Sequence, residues 1–285
     1  GKALFLFPGV PYELDRMAAE FLVPWLVRRS PGVARETWTI KVAMRPESEV
    51  DQALGPVYAA FGGEWITVLA GAGEVRVLLS AVGAEGDRRE RLTAMRRQTL
   101  ATLGESVFGE GAETTLESVV ARLLAESGQT LATAESCTGG LVAERMTRVA
   151  GASSVFTGGV VVYSNASKSA LLGVPPELLQ SAGAVSEAVA RAMASAVCTR
   201  LGSDLGIAIT GIAGPGGGSA EKPVGTVHLA VAGPGDLPVE HRLARFPGNR
   251  ERIRLFASQM ALEMLRRRLI SNLAGAAAGA ARVSV

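Results

Sequence analysis

The segment Leu131-Ala132-Thr133-Ala134-Glu135-Ser136-Cys137-Thr138-Gly139-Gly140 decides how the chain is read, because its hydrophobic rhythm changes partway along. Leu131 to Ala134 has the short apolar character of a buried strand, whereas Leu141 to Val149 carries apolar residues at helical spacing. Ser136 to Gly140 is then the turn between strand and helix. The first N–H groups of a helix lack partners inside it and carry partial positive charge, so a hydroxyl in such a turn lies beside donors suited to a developing oxyanion. The amides from Cys137 to Gly140, including those of Thr138, Gly139 and Gly140, are the candidate donors.

A serine needs a base to become a nucleophile, and the usual base is histidine. His228 and His241 are the two histidines, both in alternating apolar segments without a matching Ser or Asp motif, and they read as ordinary strand residues. Lysine is the other candidate. The chain holds four lysines (Lys2, Lys41, Lys168, Lys222) against 25 arginines, so arginine supplies its ordinary positive charge. Arg cannot give up its proton near neutral pH, whereas a Lys with its pKa lowered by burial can. Lys168 ends the run Tyr163-Ser164-Asn165-Ala166-Ser167-Lys168, just past a second strand. It is therefore either a base or a solvated residue at the third position of a helix capped by Asn165.

Three blocks occur in one order: AESCTGG from Ala134, GGVVVYSNASK from Gly158, and AITGIAGPGGGSAEKPVGTV from Ala208. Over about residues 113–269 these resemble the C-terminal domain of the CinA family, the nicotinamide mononucleotide deamidases, and agreement across several blocks is more specific than any single glycine motif. The resemblance implies hydrolysis of the carboxamide of nicotinamide mononucleotide to nicotinic acid mononucleotide and ammonia, by a Ser/Lys mechanism without metal or cofactor. Ser136 would be the nucleophile and Lys168 the base. Tyr163 would relay a proton or help hold the lysine neutral, with a core-filling aromatic as the alternative. Ser153 matches a polar family position that would join the same network, or it caps a helix. Thr210 ends a buried strand just before Gly211, a usual place for binding residues in α/β folds. Arg250 matches a family position and would anchor the phosphate through parallel N–H groups. The partners implied are a small-molecule substrate and a second copy of the chain.

Cys137 is the rival nucleophile, because a thiol at a helix N-terminus is activated by the same field. The run from Thr210 to Gly218 lacks the Lys-Ser/Thr ending of a phosphate-binding P-loop, and Pro215 spoils a dinucleotide fingerprint. It reads as a flexible loop over the active site or as a plain surface loop, with Lys222 either a substrate contact or a solvated charge.

At 285 residues, 48% of them hydrophobic, the chain can build two or three domains. A net charge of +2 gives no reason to expect a nucleic-acid partner, and two cysteines are too few for a disulfide framework, which suits a reducing cytoplasm. Gly1 to Pro11 lacks the basic start and cleavage site of a signal peptide, and the uncharged run from Val149 to Ser167 is too rich in Gly, Ser and Asn for a membrane span.

The expected organisation is α/β throughout. Residues 1–32 (strand Ala3 to Phe7, helix Tyr12 to Arg28 interrupted by Pro24) resemble a remnant of the molybdopterin-binding-like domain of full-length relatives. Residues 33–110 form a small α/β module of the KH type: strand Thr37 to Ala43, helix Ser48 to Phe61, a hairpin of Trp65 to Leu69 with Val75 to Leu79, and helix Arg88 to Phe108. It lacks the GXXG spacing by which KH domains grip RNA, so RNA binding is the weaker expectation. Residues 111–270 form a three-layer α/β/α sandwich, and residues 271–285 a frayed Ala/Gly-rich tail. The non-enzymatic alternative is an inactive nucleotide-binding or competence-associated interaction module.

Overall fold

The computed structural model describes residues 3–29, 34–233 and 238–283, the last helix with its side chains to residue 275. Residues 3–9 form no strand, since a strand is stable only beside a partner. Helices α1 (Pro11–Met17) and α2 (Val23–Arg29) are joined by a π-helical segment, Ala18–Leu22. That wider turn falls just ahead of Pro24, whose missing N–H breaks the regular ladder. None of these helical residues is buried.

The first sheet is antiparallel, in the order β2-β3-β1-β4, with β1 (Ala34–Ala43), β2 (Ile66–Ala70), β3 (Glu74–Gly83) and β4 (Val107–Glu110). Helices α3 (Glu47–Ala53), α4 (Gly55–Phe61) and α5 (Glu85–Leu103) supply Val50, Val57, Leu92 and Met95, with Leu54 between α3 and α4, to a core shared with Ile40, Val42, Val77 and Leu79. Two expectations fail here. The helix predicted from Ser48 to Phe61 breaks at Leu54 and restarts at Gly55 with Pro56 in its first turn, where proline is tolerated. The helix predicted to reach Phe108 stops at Leu103, because Gly104 adopts a positive φ of 53° and the β-favouring Val107 and Phe108 pair with β1 instead. Arg88, Arg91 and Arg96 of α5 are engaged within this unit, by Gly83 O and Glu36, by Phe61 O and the Trp65 ring, and by Glu110.

Residues 111–115 lead into α6 (Leu116–Ser127), whose start is locked by reciprocal Thr115 and Ser118 side-chain bonds. The second sheet runs β6-β5-β7-β8-β9: β5 (Leu131–Glu135), β6 (Phe156–Val161) and β7 (Leu205–Gly211) are parallel, while β8 (Thr226–Ala232) and β9 (Glu240–Arg245) are antiparallel. Strand alternation sends Leu131, Ile207, Ile209, Val227 and Leu229 to one face, where α6, α7 (Leu141–Thr147) and α11 (Arg250–Val283) cover them. Ala132, Ala134, Ala208 and Ala230 line the other face under α8 (Asn165–Leu172), α9 (Pro176–Ser181) and α10 (Glu187–Leu201). Their small side chains let Val189, Met193 and Val197 of α10 approach the sheet closely. The expected three-layer α/β/α architecture stands. Helix α9 starts at Pro176, the first helical position, where proline is tolerated. Residues 271–283 continue α11 rather than fraying, their alanines being the strongest helix formers, and residues 284–285 lie outside the described residues. Among the described residues no helix is long and apolar enough to cross a membrane.

Candidate active site

Ser136 is the first residue past β5. Its N–H donates to Ile209 O of β7 at 2.9 Å, so it continues the strand alternation: Glu135 faces α7 and Ser136 faces α8. Helix α8 begins one residue earlier than expected, because Ser164 and not Asn165 is its cap, in a reciprocal pair with Ser167. Lys168 therefore sits one position deeper, on the inward side, and is 1% exposed. Its Nζ lies 3.0 Å from Ser136 Oγ and 2.8 Å from Val162 O, at the end of β6. Burial lowers the Lys168 pKa from its ordinary 10.5. A neutral amine so placed donates one N–H to Val162 O and turns its lone pair to the Ser136 hydroxyl.

The turn amides are not all available as oxyanion donors. Gly139 N donates to Ser136 O at 3.1 Å, and Gly140 N to Glu135 Oε2 at 3.1 Å. Both glycines hold positive φ (61° and 91°), which folds their N–H groups back onto the turn. That leaves the amides of Cys137 and Thr138 as the turn's candidate oxyanion donors. The Thr138 side chain is buried with no partner for Oγ1, and its carbonyl accepts from Arg254 Nε and Nη2 at 3.1 and 2.6 Å.

Cys137 is 5% exposed and packs in the α6/α7/α11 core, on the face away from Lys168. Burial pushes its thiol up to about 12, the opposite of activation.

Among the described residues the lysine bonds Ser136 and Val162, not Tyr163. Tyr163 is 59% exposed, and its hydroxyl accepts from Arg250 Nη2 at 2.6 Å. Arg250 Nη1 donates to Gly214 O at 2.8 Å, so Arg250 ties the glycine-rich loop to Tyr163 at the start of α11. Thr210 is buried and donates to Ala184 O at 2.8 Å, next to Gly211 at the end of β7. Lys222 is neither solvated nor free, since its Nζ donates to Val185 O at 2.8 Å and Ala182 O at 3.3 Å. Thr210 and Lys222 thus pin the loop before α10 through its carbonyls. Ser153 is not brought to the site. It precedes β6 (Phe156–Val161), which runs parallel to β5, and so lies near the strand starts, roughly 15 Å from Ser136 at about 3.3 Å per residue.

Sequence reasoning missed three groups. Glu135, buried to 1% exposure, was visible as a carboxylate just ahead of a helix start. Arg254 lies one turn after Arg250, and nothing local distinguishes it. The histidines are strand residues, as expected, but they meet: His228 Nδ1 and His241 Nε2 are 3.0 Å apart across β8 and β9, and His241 Nδ1 lies 3.3 Å from Glu187, which Arg191 also holds. Burial lowers both imidazole pKa values from 6.5, with Arg191 and Lys222 adding to the effect and Glu187 opposing it. The unfolded chain therefore takes up these protons first. Stability present above pH 6.5 is lost as pH falls through the lowered values. Urea denaturation between pH 7.5 and 5 is expected to show a shallower pH slope for His228→Asn/His241→Asn than for the unsubstituted chain, an effect that equal slopes would contradict.

The model of the CinA C-terminal domain family matches residues 113–269. A CinA-like protein of Acidobacterium capsulatum is 43% identical over 270 residues, covering 94% of this chain and 64% of the relative. One from Anaeromyxobacter dehalogenans (strain 2CP-C) is 46% identical over 261 residues, covering 91% and 62%. The chain thus spans a little under two thirds of the length of these curated relatives. Among solved structures, the competence/damage inducible protein CihA from Agrobacterium tumefaciens is 45% identical with a TM-score of 0.50, over 53% of this chain and 93% of that one. A competence-damaged protein (CinA) superfamily protein from Klebsiella pneumoniae is 38% identical with a TM-score of 0.53, over 55% and 96%. With the family match running from the approach to α6 into α11, and so enclosing both Ser136 and Lys168, the chain belongs to the CinA family.

Proposed function

We propose that the chain hydrolyses the carboxamide of nicotinamide mononucleotide to nicotinic acid mononucleotide and ammonia, with Ser136 as nucleophile and Lys168 as base. The observation that carries this is the 3.0 Å approach of Lys168 Nζ to Ser136 Oγ by a lysine that burial keeps short of its usual basicity. The amine takes the hydroxyl proton as Oγ attacks the carboxamide carbon. The tetrahedral oxyanion then meets the Cys137 and Thr138 amides, the turn's remaining candidate donors. Collapse breaks the C–N bond, and Lys168 returns its proton to the departing ammonia. Water, deprotonated by the same amine, cleaves the Ser136 ester and restores the hydroxyl.

Arg250 would hold the phosphate end. Two of its N–H groups are engaged, with Gly214 and Tyr163, and a guanidinium has five. Tyr163 then acts on Arg250 rather than on Lys168. Thr210, Gly211 and the loop it pins would border the substrate. Residues 111–270 form the hydrolytic unit, residues 33–110 a separate α/β module, and the family resemblance carries a cytoplasmic homodimer.

The test is direct measurement of ammonia released from nicotinamide mononucleotide by the purified chain. Turnover supports the proposal. Nucleotide binding without ammonia would replace it with the inactive binding module.

A further inference from the structure

The loop that carries Ser136 is gripped at both ends by charged side chains that hold backbone rather than each other. On the α7 side the Glu135 carboxylate is buried and accepts three N–H groups: Gly140 N at 3.1 Å and Val142 N at 3.1 Å on Oε2, and Ala143 N at 2.9 Å on Oε1. These are the donors that the start of a short helix leaves unpaired, so the carboxylate both satisfies them and absorbs the positive end of the helix. On the α11 side Arg254 closes two N–H groups on the Thr138 carbonyl. That fixes the Thr138–Gly139 peptide plane, whose own N–H reaches back to Ser136 O.

The helix that Glu135 caps and the helix that carries Arg254 are tied together. Arg145 of α7 donates to Glu117 of α6 at 2.7 Å and to Ser258 and Gln259 of α11 at 3.0 and 2.7 Å, locking the three helices together. Opposite the turn, Lys168 is held separately by Val162 O. The Ser136–Lys168 distance is therefore set by two independent supports, and only one of them is the lysine's own.

We propose that Glu135 and Arg254 are positioning residues that clamp the nucleophile turn and so fix Ser136 Oγ on Lys168. This rests on Ser136 being the nucleophile. It departs from the sequence expectation that the helix start serves the oxyanion, because Glu135 already occupies that start.

Glu135→Gln keeps the shape but turns an NH2 group toward an N–H donor, while Arg254→Met removes the second anchor from a separate helix and Arg254→Lys restores a single donor. Two readouts separate the clamp from the substrate assignment. The first is kcat and KM for ammonia release. The second is the rate at which phenylmethylsulfonyl fluoride labels Ser136, followed by intact mass; here the Oγ–S bond forms, fluoride leaves and Lys168 takes the proton. Thermal midpoints control for folding.

The expected result is a 10- to 100-fold fall in kcat and in labelling rate for Glu135→Gln and Arg254→Met, KM within about threefold, and partial recovery in Arg254→Lys. Labelling at the unsubstituted rate, a loss carried entirely in KM, or an equal loss in Arg254→Lys and Arg254→Met would overturn it. So would an unreactive Ser136 in the unsubstituted chain. If that chain labels but releases no ammonia, the substrate assignment fails, and the relative labelling rates still decide the clamp.

Discussion

Ser136→Ala is expected to lower kcat for ammonia release by about 10⁴- to 10⁶-fold, the range seen when a nucleophile that acts as a unit with its base is removed. Cys137→Ala is expected to stay within about threefold, at a cost in stability on the order of 1 kcal/mol for a small buried side chain. The contrast follows from position along one strand continuation. Adjacent residues point to opposite faces of the sheet, so the neighbour of Ser136 is carried into the α6/α7/α11 core, where its thiol is pushed up to about 12. A thiolate there lacks both solvent and a base. Loss of activity in Cys137→Ala with activity kept in Ser136→Ala, read by ammonia release, would reverse the assignment.

Lys168→Met is expected to cost about 10²- to 10⁴-fold in kcat/KM, the usual contribution of a positioned general base. It should also remove the acidic limb of the pH profile. In the unsubstituted chain kcat/KM is expected to fall about tenfold per pH unit below the lowered lysine pKa, because a protonated amine could not accept the Ser136 proton. Stability should move the other way. The folded-state pKa lies below the ordinary 10.5, so the unfolded chain binds the proton more readily, and the folded state loses stability as pH falls from that value toward the lowered one. Methionine carries no such burden but leaves Val162 O without its donor, a cost of about 1 kcal/mol. The absolute order at one pH depends on that balance, whereas the trend does not: denaturant midpoints should shift in favour of Lys168→Met as pH falls from 10 to 7. A constant difference would mean that the lysine is charged inside the fold.

The sequence alone determined the strand-turn-helix around Ser136 and the α/β alternation on either side of it, and it singled out Lys168, in an arginine-rich chain with four lysines, as either a base or a solvated helix residue. Those features are local: hydrophobic period, capping residues and the need for a base that can lose its proton. Tertiary structure decided everything that depends on which segments lie side by side. It moved the cap of α8 to Ser164, which turns Lys168 inward. It put Ser153 at the far end of the sheet, because a parallel strand starts where its neighbour starts. It brought His228 to His241 across a strand pair, and Tyr163 to Arg250 instead of Lys168. Above all it decided how the Ser136 turn is held: Glu135, at the end of β5, accepts from Gly140 N, and Arg254 of α11 donates to Thr138 O, contacts that no local pattern encodes. A hydrogen-bond donor's availability depends on its neighbours in space, and register and helix docking set those neighbours only after the chain has folded.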